Sequence, residues 1–392
     1  EASRRQSKRL KLTKQTKNPV TDQEYSTTKA IYHTDKIKTL QKGEQITPTM
    51  IQVDLEAYCN DNCSFCSYRK EDGYNNPMLK LIGGEPHTDD KPIGKPLPES
   101  RIPLEFADTL ADQMVEANIP AIELTGGGEP TLWPAFDKLV NNLFQADREI
   151  GLVTNGSNLS DSRINLLTEA CTWIRFSMDC ATQKTHKKIH RTGNDDFERR
   201  LDNLKKLAHK KKFRKSPVLG ISFIITPENI HEINESAALY SRIKGINHLR
   251  FSWMYDREGH AGLTERQIEN VKKKIELCME AYNNNYFHII YEKNRIESYS
   301  QPNDDFDTCY IQRFVWAIGA DALVYPCCIM KYHPDYAYAD LRKLTLAQIV
   351  FNFLTMTSMN ALEPKKCFPC WLRGRNKAIA QAVEEPIHKN FI

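Results

Sequence analysis

Between Met50 and Trp253, six short β-rich runs alternate with amphipathic stretches, and this alternation restricts the fold more than any other feature of the chain. Residues 50–57, 121–125, 150–155, 173–178, 219–225 and 248–253 read as strands, rich in Val, Ile, Phe and Thr. Apolar residues at three- and four-residue spacing near 104–117, 135–147, 160–170, 196–212 and 229–243 read as helices, with a further helix over 264–284. Such an order implies a parallel sheet covered by helices, either a partial barrel or an open doubly wound sheet. With 40% hydrophobic residues and only 17 Gly in 392, the chain is neither collagenous nor broadly disordered. No apolar run approaches the ~18 residues of a membrane span, and no hydrophobic signal segment opens the chain. The expectation is a soluble protein without membrane attachment.

Charge and composition divide the chain further. Arg4, Arg5, Lys8, Arg9, Lys11, Lys14 and Lys17 crowd the first twenty residues, so the net +4 comes from this arm and the rest is slightly acidic. Residues 1–48 read as a basic flexible arm and lead-in, able to hold nucleic acid through residues 4–17. Residues 49–300 read as the α/β body. Within it, residues 67–103 form a long polar loop without periodicity, a candidate lid. From residue 301 to 392 the character changes to a smaller cysteine-bearing module, with a strand-like Ala322–Tyr325 and a helix near 345–354.

Eleven cysteines in two clusters, without a secretory signal, read as metal ligands in a reducing, cytoplasmic compartment rather than as disulfides. Cys59, Cys63 and Cys66 place three thiols within eight residues just past the first strand. Three thiolates leave one position of a metal centre open, whereas a closed zinc site needs a fourth ligand that the neighbouring sequence lacks. Cys309, Cys327, Cys367 and Cys370 offer four ligands, which suit closed zinc and a fully ligated iron–sulfur cluster equally. Cys328 reads as a spare thiol, and Cys171, Cys180 and Cys278 as small apolar core residues.

The C-x3-C-x2-C spacing, with Phe65 before the last cysteine, resembles the signature of the radical S-adenosylmethionine (SAM) superfamily. Further motifs match in order. Gly126-Gly127-Gly128-Glu129-Pro130 follows the second strand and resembles the GGEP motif that holds the methionyl amino group of SAM. A second copy of that motif, Gly83-Gly84-Glu85-Pro86, falls in the long loop with no strand before it, and Glu129 is preferred. The resemblance implies a partial (β/α)6 TIM barrel with a SAM-binding [4Fe–4S] cluster on Cys59, Cys63 and Cys66 at its C-terminal mouth. It also implies SAM contacts from Phe65, Gly127, Gly128, Glu129, Asn155 and Ser177, with Arg191 pairing the SAM carboxylate. The run from Cys309 through Gly319, Asp321–Cys327 and Ala337–Leu341 resembles the twitch and SPASM extensions of these enzymes, which carry auxiliary [4Fe–4S] clusters. No cysteine follows Cys370, so the expectation is a twitch-like module with one auxiliary cluster on Cys309, Cys327, Cys367 and Cys370.

By this resemblance the chain reductively cleaves SAM to methionine and a 5′-deoxyadenosyl radical, which abstracts a hydrogen atom from the substrate. An auxiliary cluster then assists oxidation or rearrangement, an oxidoreductase reading. The substrate is a small molecule, nucleotide or peptide, and the electron donor is of the flavodoxin or ferredoxin kind. Little room before Met50 for a leader-peptide recognition domain disfavours long peptide precursors, and the basic arm favours an anionic substrate. The competing reading is a zinc-stabilised nucleic-acid-binding or modification protein on the same α/β scaffold.

Overall fold

A computed structural model describes residues 29–68, 98–211, 216–255, 261–291, 305–367 and 369–384, together with Ile296, Gln301 and Asn303. The basic arm at residues 4–17, residues 69–97 of the candidate lid and the Gly83–Pro86 motif lie outside the described residues. A short helix α1 (Thr34–Gln41) precedes the sheet. The body then runs β1 (Met50–Asp54), α2 (Phe106–Glu116), β2 (Ala121–Thr125), α3 (Phe136–Gln145), β3 (Glu149–Thr154), α4 (Asp161–Ala170) and β4 (Trp173–Ser177). It continues through α5 (Gln183–His190), α6 (Asp196–Lys211), β5 (Val218–Ile225), α7 (Ile233–Ser241), β6 (His248–Trp253), α8 (Glu265–Tyr282) and β7 (His288–Tyr291). The chain ends with α9 (Ile311–Phe314), β8 (Val315–Ile318), β9 (Leu323–Tyr325), β10 (Ala339–Asp340), α10 (Leu346–Val350), α11 (Phe353–Ala361) and α12 (Arg373–Val383).

Among the described residues one sheet takes the order β10-β9-β8-β1-β2-β3-β4-β5-β6-β7. Strands β1 to β7 pair in parallel, and β8 joins β1 in parallel from the other side. Strands β9 and β10 extend that edge antiparallel. Strands β7 and β10 are not paired with each other, so the sheet stays open, an α/β partial barrel. No helix among the described residues is long and apolar enough to cross a membrane.

Period-two alternation along each strand decides what lies on either side of the sheet. In β4, Ile174 and Phe176 are buried in the core while Arg175 and Ser177 line the interior cavity. In β6, Leu249 and Phe251 face the core while Arg250 and Ser252 line the cavity. The helices meet the apolar side. Phe136, Leu139, Val140 and Leu143 of α3 are buried at helical spacing. Helix starts are set locally: the Ser160 hydroxyl accepts from the backbone of Arg163, and Thr264 with Gln267 forms a capping box.

The structure adds to the expected elements. Helix α5 and strands β7, β8 and β10 lie beyond the sequence expectation, and with the expected β9 the added strands enlarge the sheet beyond six. The single helix expected near 345–354 is two, because the Asn352 side chain caps the second by accepting from Leu354 N at 2.8 Å. The C-terminal segment is tied to β1 by a buried cluster. Asp54, at the end of β1, accepts from Lys331 Nζ at 2.7 Å and from the Tyr332 hydroxyl at 2.8 Å. Both charged side chains are almost wholly buried. Lys331→Ala strands the Asp54 carboxylate in the interior. We expect a loss of about 3–5 kcal/mol, read as a lower urea midpoint, with much of it recovered in the Lys331→Met/Asp54→Asn double variant.

Candidate active site

Strands β1 to β6 and the loops that follow them line one cavity of about 410 Å³. Cys59, Cys63 and Cys66 line it from the loop after β1, and Gly126, Gly127, Gly128 and Glu129 from the loop after β2. Asn155 follows β3 and Ser177 ends β4, and both line the same space, as does Phe65. Six of the seven expected SAM contacts therefore share one wall with the three cysteines. Arg191 is not among the lining residues; it closes α5 in the left-handed conformation at φ 53°.

The GGGEP loop is laid directly on the chain leaving β1. Gly128 N donates to Glu56 O at 2.9 Å and Glu129 N to Tyr58 O at 3.0 Å. A Cβ at Gly128 would fall 1.9 Å from Tyr58 O, so only glycine permits this approach. Glu129 itself is buried, and its carboxylate is used within the protein. Oε1 accepts from Thr131 N at 3.1 Å and from the Thr131 and Thr154 hydroxyls at 2.6 Å each. Oε2 accepts from Asn155 N at 2.7 Å. Burial pushes the Glu129 pKa up, against the pull of these donors. Both carboxylate oxygens are thus held by protein donors, while Glu129 still lines the cavity beside the glycine backbone.

Asn155 is engaged in a similar way. Its Nδ2 donates to Asn60 Oδ1 at 2.9 Å and its Oδ1 accepts from Ser157 N at 2.9 Å, which ties the end of β3 to the cysteine loop. The other side of that loop rests on the last turn of α5. Asn62 N donates to His190 O at 3.0 Å and Ser64 N to Ile189 O at 2.9 Å. Beneath it lies a buried charged cluster that sequence reasoning did not anticipate. Asp61 is gripped by Arg200, whose Nη1 reaches Oδ2 at 2.8 Å. His190 Nδ1 lies 3.2 Å from both Asp61 Oδ2 and Cys63 Sγ. Burial opposes ionisation of Asp61, yet the Arg200 guanidinium outweighs it and holds the carboxyl well below its usual range. The sequence signal was available: His186 with His190 on α5, and Asp196 with Arg200 on α6, each stand four residues apart on one helix face.

Residues 57–240 match the family model described as the Radical SAM superfamily. The chain carries a radical SAM domain. Relatives of this chain include an S-adenosylmethionine-dependent nucleotide dehydratase of Flammeovirga pacifica, 26% identical over 195 residues, 49% of this chain and 59% of that protein. A probable GTP 3′,8-cyclase of Saccharolobus islandicus is 28% identical over 158 residues, 40% of this chain and 42% of that one. The chain thus spans less than two thirds of the curated relatives it matches. Among solved structures, Streptococcus suis SuiB bound to S-adenosylmethionine superposes with a TM-score of 0.58 at 13% identity, covering 85% of this chain and 72% of that one. Native anSMEcpe with bound AdoMet gives 0.51 at 14% identity, covering 86% and 97%. Both likenesses concern the fold.

Behind the radical SAM domain a second, smaller cavity is lined by Cys309, Cys327, Cys367 and Cys370 together. Burial pushes the Cys309 thiol up to about 11 and those of Cys367 and Cys370 up to about 12. Cys328, next to Cys327 in the chain, faces the other way and lines the large cavity with Lys331 and Trp371. Two consecutive cysteines therefore serve two different cavities. Cys171, Cys180 and Cys278 are buried in the core, as expected.

Replacing Glu129 by Gln turns one acceptor oxygen into a donor among four donors. We expect about 1–3 kcal/mol of destabilisation in a denaturant titration. Gly128→Ala, which forces the loop off Tyr58, should weaken SAM binding measured by equilibrium dialysis.

Proposed function

We propose that Cys59, Cys63 and Cys66 hold a [4Fe–4S] cluster by three of its irons, and that SAM binds the fourth through its amino and carboxylate groups. The observation that carries this reading is the meeting of the three thiols with the Gly126–Glu129 loop, Asn155 and Ser177 on one wall of the cavity. The donor set fits the group: three sulfurs from one tight loop suit a cluster with one open iron better than a closed four-ligand zinc site. When bound, the cluster supplies the electron that breaks the sulfonium C–S bond, yielding methionine and the 5′-deoxyadenosyl radical. The protein's part is position and seclusion. The glycine backbone accepts from the methionyl amino group, Glu129 and Asn155 lock the two loops together, and the barrel wall excludes water from the reacting carbon.

We assign Cys309, Cys327, Cys367 and Cys370 to an auxiliary [4Fe–4S] cluster in a twitch-like module spanning residues 301–392. Support comes from their shared cavity. Four buried thiols ionise together only when a cationic centre takes up their charge.

For the substrate we favour the nucleotide class, reduced by a flavodoxin- or ferredoxin-type donor. The named activities of the relatives support this, as do the Arg175 and Arg250 guanidiniums and the rings of Trp253, Tyr255 and Trp371 lining the cavity. Those relatives are named for a dehydration and a cyclisation, so within the expected oxidation or rearrangement we favour these two outcomes.

Anaerobically purified protein should be brown and should release 5′-deoxyadenosine from SAM with reductant. Cys63→Ala should abolish that release while leaving iron at the second site. Cys370→Ala should remove about one cluster of iron while part of the SAM cleavage survives. Colourless protein that holds zinc and no iron overturns the assignment. Incubation with deuterated nucleotides and peptides, following label into 5′-deoxyadenosine, identifies the substrate class.

A further inference from the structure

We propose that His190 donates its Nδ1 proton to the sulfur of Cys63 and so raises the reduction potential of the cluster at the barrel mouth. This rests on the reading of Cys63 as a cluster ligand. His190 closes α5 with its ring almost wholly buried. Four acceptors surround that ring. Nδ1 stands 3.2 Å from Cys63 Sγ and 3.2 Å from Asp61 Oδ2, and Nε2 stands 3.3 Å from Met178 O and 3.3 Å from Asp179 Oδ2. With a thiolate at Cys63, Nδ1 faces only acceptors, so it is placed to donate.

The surroundings hold this ring in place. Asp61 is shared with Arg200, Arg200 also pairs with Asp196, and Asp196 lies 3.1 Å from His186 Nε2. His186 in turn stacks on His190 at 4.3 Å between ring centroids. Phe65, one residue before the last loop cysteine, meets the His190 ring edge-on at 6.1 Å. The ring cannot turn away from Cys63 without breaking contacts on every side.

A reduced cluster carries one more negative charge than an oxidised one. An N–H donor at one of its sulfurs stabilises the reduced state preferentially. His190 is therefore a positioning residue that sets how readily the cluster accepts its electron. The Cys59 sulfur is contacted differently, by Asp61 N at 3.4 Å and Asn155 Nδ2 at 3.9 Å, both neutral donors.

The test is a redox titration followed by electron paramagnetic resonance on anaerobic full-length protein. The signal that changes when SAM is added identifies the barrel cluster. His190→Leu should shift its midpoint potential to more negative values with its iron retained. His190→Asn, which keeps an N–H donor on a shorter side chain, should fall between that variant and the wild type. If His190→Leu does not fold, a potential below wild type in His190→Asn still carries the inference. An unchanged potential with iron in place overturns it. So does loss of the barrel iron in both variants, which would give the ring a purely structural role. Wild-type protein with a single zinc on Asp61, Cys63 and His190 and no barrel iron would defeat the functional reading itself. Iron with an unmoved potential defeats only this inference.

Discussion

A carboxylate with no access to water sits beneath the cysteine loop, and the arrangement of the site depends on how it is compensated. Asp61 lies between two cysteines of the loop and is held by Arg200 from α6 and His190 from α5. Burying such charges is expensive, and an isolated one would neutralise or unfold its surroundings. Here each charge finds its opposite within hydrogen-bond reach, and the pairs couple three separate segments. The loop therefore cannot move without leaving a charge unpaired, which gives a short run of eight residues a defined shape.

The same logic joins the remaining walls. Glu129 converts a glycine-rich turn, which by itself would be flexible, into a fixed surface by accepting from four donors on two loops. Asp54 does so between β1 and the C-terminal segment through Lys331 and Tyr332. Three buried carboxylates thus lie at the mouth of the barrel, and each bridges elements distant in sequence. The apolar core on the outer side of the sheet supplies the bulk of burial, but it does not by itself decide how the rim loops meet.

The C-terminal segment extends the sheet instead of standing apart from it. Because β8 pairs with β1, the four cysteines near 309–370 are brought behind the strand that leads into the first cysteine loop. The turn after β9 then sends Cys327 to the small cavity and Cys328 to the large one.

Much of this was readable from the residues. Local propensity and period fix a strand or helix within a few residues of chain, so the six body strands, most helices and both cysteine groups were legible before any coordinates. Helix α5 and strand β7 were less so, being short and weakly patterned. Motif spacing likewise pointed to the cysteine loop and to Glu129. The role of the Glu129 carboxylate, the absence of Arg191 from the cavity wall, the His190 contact with Cys63 and the opposite facing of Cys327 and Cys328 depend on which distant segments meet. Sequence determines the chemistry a residue carries and the face of its own element it occupies. Only packing determines whose charge or sulfur it meets, because those partners lie tens to hundreds of positions away and are selected by the closure of the whole sheet.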